Sequence, residues 1–400
     1  MATSHARKMK PNLQKLNEQV IVITGATSGI GLATARMAAK RGARLVLAAR
    51  DEAAVRQLAE ELNAAGCEAV AVTADVSHED DVQAIVEAAR ERFGGFDTWV
   101  NNAAVSMYGH LLDEPIKDER QLFETNYWGT VHGSRAAAMH LRDKGGAIIN
   151  VGSANSDYAA PLQGTFSASK HAVKGYTDAL RMELEEEGAP VSVTLVKPSP
   201  IDTPYAHHAR NHLENEPRQT PPMYSPEIAA KAILFCAEHP KRDIYIGGAG
   251  RLFSLAGHVA PRLMDRIMSR AGTRMQKTGR PDDGRDSLYS PDSDMQERGE
   301  QQGRVMKTSL YTSAAMHPKR TGVLIVASGV VAGLLWRAYR NNGRNGHAHL
   351  DGLAHESSKA KRSLKKASHL LEHEGKHFAH TLPKLGRKAR HAIERNLPRH

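Results

Sequence analysis

Cysteine is scarce in this 400-residue chain: Cys67 and Cys236 stand alone, too few for a disulfide framework and without metal-ligand spacing. Both thiols read as small apolar groups in a reducing compartment, and the cytoplasm is the expected location. The first 19 residues are polar and hold no apolar run of about 7–15 residues, so no secretory signal is expected there. An excess charge of one sign is missing from residues 1–336, which carry 39 basic and 39 acidic groups. The whole net charge of +10 therefore lies in residues 337–400, with 15 Lys and Arg against 5 Asp and Glu. No internal repeat is visible. With 40% apolar and 24% charged residues, a wholly disordered or fibrous chain is excluded.

What is present is an alternation of two periodicities. Short β-branched or apolar runs at 20–24, 44–49, 69–73, 98–101, 147–151, 191–196 and 243–246 read as strands. Between them, 30–40, 51–65, 80–92, 119–141, 167–187 and 226–238 have helical spacing. Strands alternating with helices of this length predict an α/β fold, a Rossmann-like doubly wound parallel sheet in one domain with a C-terminal extension. The expected parse is an N-terminal arm at 1–15, the nucleotide-binding domain at 16–255, an amphipathic helix at 256–272 and a polar linker at 273–318. A candidate membrane helix follows at 319–340, then a basic tail at 341–400. The amphipathic pattern itself runs over 252–268, with Leu252, Leu255, Val259, Leu263 and Ile267 at helical spacing.

The run TGATSGIG at 24–31 sits between the first strand and the first helix. In that position Gly25 permits a tight turn, Gly29 lets backbone approach a pyrophosphate closely, and Gly31 allows packing of helix on sheet. The helix N-terminus then offers free N–H groups and partial positive charge to phosphates. The second strand ends Ala48-Ala49-Arg50, with no acid before Asp51. An NAD site places an acid at this point, whereas arginine suits the 2′-phosphate of NADP. NADP(H) is therefore preferred, with NAD(H) left open.

These residues, taken with others in order, resemble the short-chain dehydrogenase/reductase family. The others are Asp75-Val76, Asn101-Asn102-Ala103-Ala104, Asn126 in TNYWGT, Ser153 in NVGSANS and Ser169-Lys170 in FSASKHAVKG. The resemblance runs through residues 20–203 and implies roles. Gly25, Ser28, Ile30 and Gly31 would line the phosphate turn; Asp75 and Val76 would flank an adenine; Asn102 would lie along the cofactor. Lys170 would hold the nicotinamide ribose, and Ile201 and Thr203 would meet the nicotinamide end. Ser153 would bond the substrate oxygen, and Asn126 would help hold a water linked to Lys170.

One position departs. Four residues before Lys170 the family carries a tyrosine as general acid/base, and this chain has Phe166. Carbonyl reduction leaves an alkoxide that needs a proton, and a benzyl ring has none to give. A positioned acid or base contributes about 10²–10⁴-fold, so activity is expected to be reduced. Tyr158, Tyr205, His207 and His208 are the nearby groups that could substitute. Ala104 and Ser199 stand where glycine is usual, which predicts crowding near the nicotinamide.

Beyond the domain, residues 321–336 form a sixteen-residue uncharged stretch between Lys319, Arg320, Arg337 and Arg340. It falls just short of the roughly 20 residues of a spanning helix, so spanning, interfacial and docked placements stay open. The basic tail suits an anionic membrane surface through 319–400. Nucleic acid is disfavoured, because Phe378 is the tail's only aromatic residue beyond Tyr339. Its histidines lack metal spacing, and no metal site is expected.

Two functions follow. The first is an NADP(H)-dependent oxidoreductase acting on an alcohol or carbonyl substrate; the second is a catalytically silent NADP(H)-binding sensor or membrane-tethered scaffold. Family members pair through long helices, so a homo-oligomer is also open.

Overall fold

The computed structural model describes residues 11–292, 295–299, 304–317 and 321. Seven strands form one parallel sheet: β1 (Val20–Thr24), β2 (Arg44–Ala49), β3 (Ala69–Thr73), β4 (Thr98–Asn101), β5 (Gly146–Val151), β6 (Val191–Pro198) and β7 (Asp243–Ile246). Their spatial order is β7-β6-β5-β4-β1-β2-β3, with every neighbouring pair parallel. The helices between them are α1 (Gly29–Lys40), α2 (Glu52–Ala64), α3 (Glu79–Phe93), α4 (Ile116–Phe123), α5 (Gly129–Leu141), α6 (Gly164–Glu186) and α7 (Pro226–Glu238). This is the doubly wound α/β architecture expected from the alternation.

The near-continuous apolar strands follow from having helices on both faces. In β1, Ile21 and Ile23 enter one core with Leu32 of α1, Leu58 of α2 and Ile233 of α7. Val20 and Val22, offset by one residue, enter the other core with Ile85 of α3, Leu141 of α5 and Leu184 of α6. Strand order reverses between β1 and β4, so the crevice beyond their carboxyl ends is the topological switch point where doubly wound sheets bind ligands.

Three departures from the sequence reading matter. The helix expected over 119–141 is interrupted by a π-helical turn at Glu124–Trp128, which contains Asn126. Such bulges often mark functional positions. The helix expected over 252–268 is two helices, α8 (Gly248–Val259) and α9 (Pro261–Ile267). Pro261 lacks the N–H that would continue α8, so the chain restarts there. Among its described residues the segment at 273–318 holds only short elements, none longer than the seven residues of Leu310–Met316, yet Leu288 is fully buried within it. Apart from Thr321, the candidate membrane helix and the basic tail lie outside the described residues. Among the described residues no helix is long and apolar enough to cross a membrane, and no cluster of metal-ligating side chains occurs.

Candidate active site

A cleft of about 480 Å³ opens at the switch point. The glycine turn, Arg50, Asp75, Val76 and Asn102 line it towards β2 and β3, and Ser153, Phe166, Lys170, Ile201 and Thr203 line it towards β5 and β6. Of the residues expected to bind cofactor or substrate, Gly31 and Asn126 stand behind the lining.

The glycines are demanded by geometry. Gly25 has φ +63° and Gly29 φ +53°, both in the left-handed region. A Cβ on Gly31 would lie 2.0 Å from the Gly25 carbonyl oxygen, so no other residue closes this turn. The close neighbour of Gly29 is Thr203, 3.1 Å from where a Cβ would be. Ser28 precedes α1 with extended backbone and makes no capping hydrogen bond through its side chain. The Asn102 amide donates to the Thr24 and Gly25 carbonyls, both at 3.0 Å, and so clamps the turn against the end of β4. Asp75 folds into a local turn by accepting from the Ser77 amide and hydroxyl, at 2.9 and 2.7 Å.

At the other end, the Lys170 side chain is buried and donates to the Val151 carbonyl at 3.0 Å. Burial alone lowers its ammonium from 10.5 to about 8. The Ser153 hydroxyl accepts from the Asn155 amide at 3.0 Å and caps the short turn Ala154–Ser156, which fixes its position. Phe166 lies one helical turn before Lys170, with the Lys170 nitrogen 5.8 Å from its ring centroid. Its ring packs in an apolar cluster with Val105, Met107, Leu122 and Leu288. Asn126 sits in the π-helical turn at Glu124–Trp128. Its side chain brackets the Val105 backbone, accepting at 2.8 Å and donating at 3.0 Å, and also donates to Ser169 at 3.1 Å. Its carbonyl accepts from Thr130 at 2.8 Å.

The groups considered as substitute proton carriers separate clearly. Tyr158 donates to Asp265 at 2.9 Å in an exposed contact. His207 faces Glu216 at 4.0 Å. The His208 carbonyl accepts from the Ser287 amide at 2.9 Å. Tyr205 stacks edge-on against Phe166 at 5.6 Å between centroids, and burial pushes its phenol well above the ordinary value. A phenol shifted in that direction gives up its proton less readily. Ser199, expected to crowd the nicotinamide end, turns its hydroxyl to Gly247 and Gly250 at 3.3 and 3.0 Å, tying β6 to the start of α8.

The sequence reading missed the segment that lies across the cleft. Arg50 donates to the Ser287 carbonyl and, at 3.4 Å, to that of Leu288. The Gly29 amide donates to the Gln296 carbonyl at 2.8 Å. Asp286 pairs with Arg210 at 2.6 Å, and the Tyr289 hydroxyl donates to buried Asp118 at 2.7 Å. No periodicity marks these residues; a lone leucine among polar neighbours was the only signal.

Residues 19–214 match the short chain dehydrogenase family. The chain is 48% identical over 339 residues to "Uncharacterized oxidoreductase YxnA" of Bacillus subtilis, covering 83% of this chain and 94% of that protein. It is 35% identical to "11-beta-hydroxysteroid dehydrogenase A" of Sesamum indicum, over 56% of this chain and 67% of that one. Among solved structures, a short-chain dehydrogenase/reductase from Burkholderia phymatum in complex with NAD aligns with TM-score 0.56 and 30% identity, covering 64% of this chain and 96% of that one. With the cleft at the switch point and the motifs in order around it, the chain belongs to the short-chain dehydrogenase/reductase family.

Proposed function

We propose that the protein is an NADP(H)-dependent oxidoreductase acting on an alcohol or carbonyl substrate, slowed by Phe166. The observation that carries this reading is the joint placement of the glycine turn, buried Lys170 and capped Ser153 around one cleft. The turn fits a dinucleotide: its left-handed glycines leave a cradle that side chains would fill. Gly25, Ser28, Gly29 and Ile30 would hold the phosphates, Asp75 and Val76 the adenine, and Ile201, Thr203 and Lys170 the nicotinamide end. Arg50, with no acid before Asp51, supports preference for the 2′-phosphate. When bound, the nicotinamide supplies or accepts the hydride.

The chain's own residues do the rest. Ser153, held by its turn, donates a hydrogen bond to the substrate oxygen. Lys170, still largely charged at neutral pH, stabilises negative charge developing beside it. Asn126 and Asn102 act as positioning residues, bracing the loop at Val105 and the glycine turn. Proton delivery is the deficient step, because Phe166 has no exchangeable proton. That deficiency also favours the second reading, a nucleotide-binding protein without turnover.

Titration of the full chain with NADPH and NADH, followed by single-turnover oxidation with a panel of aldehydes and ketones, separates these readings. NADPH is expected to bind at least about tenfold more tightly than NADH, a difference of roughly 1.4 kcal/mol. Phe166→Tyr is expected to raise the chemical rate by about 10²-fold. Absence of binding by either coenzyme would overturn both readings, whereas binding with no turnover even in the variant would leave the sensor.

A further inference from the structure

We infer that α8 and α9 form an interfacial surface that seats on an anionic lipid bilayer. Leu252 is 68% exposed, Val259 75% and Leu263 58%, and Leu255 and Ile267 are also exposed. The stripe that the sequence marks as amphipathic therefore faces solvent rather than a core. Several exposed large apolar side chains on two successive helices signal an interaction surface. Charge selects the partner. Arg251, Arg262, Arg266, Arg270 and Arg274 are all exposed around the stripe, and Asp265 is the only acid between Arg251 and Lys277. Leucines rimmed by arginines are the composition of a helix lying in a lipid interface, with snorkelling guanidiniums reaching the head groups.

Two other occupants fit less well. A second copy meeting this face about a two-fold axis would oppose the same arginines to each other. The chain's own apolar segment at 321–336, seated there, would set Lys319, Arg320, Arg337 and Arg340 against like charge. Phe253 and Met268, from the same helical stretch, line the cleft, so a bilayer on this face lies next to the cleft wall.

The test places a cysteine at Val259 in the full chain, with Cys67→Ser, and labels it with an environment-sensitive fluorophore. Vesicles of phosphatidylcholine containing a quarter phosphatidylglycerol are expected to shift the emission to the blue. Pure phosphatidylcholine should bind at least about tenfold more weakly. Leu263→Glu, at an exposed position that does not threaten folding, is expected to abolish the shift. Three results would overturn the inference: vesicle sedimentation without a shift, which assigns lipid binding elsewhere; a concentration-dependent shift without vesicles, which assigns the face to a second copy; and emission already blue-shifted at all dilutions, which assigns it to the chain's own segment.

A separate set of contacts carries a second inference, which rests on the nucleotide reading above. We infer that residues 286–292 and 295–299 act as a strap that competes with the cofactor. The Gln296 carbonyl sits on the Gly29 amide, and the Ser287 and Leu288 carbonyls sit on Arg50. These are hydrogen-bond acceptors on the donors proposed for phosphate: the single Gly29 N–H does not serve both, and the carbonyls take part of the Arg50 fork. Leu288 anchors the strap by packing against Phe166, and Arg298 pairs with Glu227 at 2.5 Å at its far end. The benzyl ring that replaces the phenol is thus part of the strap's seat.

Leu288→Ala is expected to tighten NADPH binding at least about tenfold. The surface variant Arg298→Gln, which leaves the core untouched, is expected to act in the same direction. In the wild type, adenosine 2′,5′-bisphosphate should increase tryptic cleavage after Arg285 and Arg298. Equal or weaker NADPH binding by both variants would overturn the strap while leaving the nucleotide reading intact. Absence of binding by wild type and variants alike would instead overturn the nucleotide reading, and competition with it.

Discussion

The sheet domain at 20–246 and the segment at 248–317 are held by different kinds of interaction. In the domain, the central strands are buried on both faces, and the flanking helices contribute several residues to two large cores. In the later segment, α8 and α9 leave their apolar stripe in solvent. The following chain is fixed by Leu288, by charged contacts, by short strand pairings of Lys277–Pro281 with Asn215–Pro217 and Val305–Met306 with Met223–Tyr224, and by buried hydrogen bonds of Gln276 and Thr312. Cooperative burial in two large cores specifies the first region, and short pairings and local anchors specify the second. The two should respond differently to the same kind of damage.

The sharpest contrast is between two glycines. Gly31→Ala puts a methyl group 2.0 Å from the Gly25 carbonyl, inside the turn that joins β1 to α1. The turn has to break or shift, and we expect a loss of about 4 kcal/mol or more, with little folded protein recovered. Gly279→Ala has nothing within 4 Å of the added methyl, and its effect is expected to stay within about 0.5 kcal/mol. Thermal melting of both variants checks this. Equal destabilisation would mean that the later segment is as tightly specified as the domain.

Burial gives the next contrast. Ile23 and Leu288 are both fully buried. Ile23→Ala opens a cavity inside the sheet core and is expected to cost about 3–4 kcal/mol of global stability. Leu288 packs in a much smaller cluster, and if its segment opens independently of the domain, as the strap requires, Leu288→Ala is expected to lower global stability by less than about 1 kcal/mol. Amide exchange near Gly29 and Ser287 should nevertheless accelerate. A global loss for Leu288→Ala equal to that for Ile23→Ala would erase the distinction between the two regions.

The same distinction explains what was legible in the sequence. The order of strands and helices and the switch-point cleft follow from periodicity and from the glycine turn, because burial of regular elements imposes a repeating pattern on the chain. Asp75, Val76, Asn102, Ser153, Lys170, Ile201 and Thr203 are marked by resemblance to the family. Phe166 beside Lys170 was legible from spacing along one helix. The break between α8 and α9 hinged on Pro261, a local signal outweighed by a continuous apolar stripe. That stripe predicted an amphipathic helix, yet periodicity alone does not say whether its apolar face meets a core, a partner or water. The strap was illegible, because its contacts are backbone carbonyls on Arg50 and Gly29, and any sequence supplies carbonyls. Asn126 illustrates an intermediate case: resemblance to the family marks it, but its bonds to Val105 and Ser169 depend on a π-helical turn that no spacing rule announces.

The smallest predicted contrast concerns whether the domain's tight burial extends to the buried cation in the cleft, Lys170. Burial lowers its ammonium from 10.5 to about 8, and no acid offsets this. Below the folded value both folded and unfolded chains hold the proton, so the full desolvation penalty, roughly 3 kcal/mol at most, acts against folding. Between about 8 and 10.5 the unfolded chain retains a proton that the folded chain has released, so stability rises with pH across that window. Lys170→Met removes the penalty but leaves the Val151 carbonyl without its donor, which costs about 1 kcal/mol. The variant is therefore expected to be more stable than the wild type by about 1–2 kcal/mol near pH 7, an advantage that fades as pH approaches 10.5. Urea denaturation of both proteins across that range reads the difference. Parallel pH profiles would show that the ammonium is solvated through the cleft, and that this end of the domain is as open as the segment that crosses it.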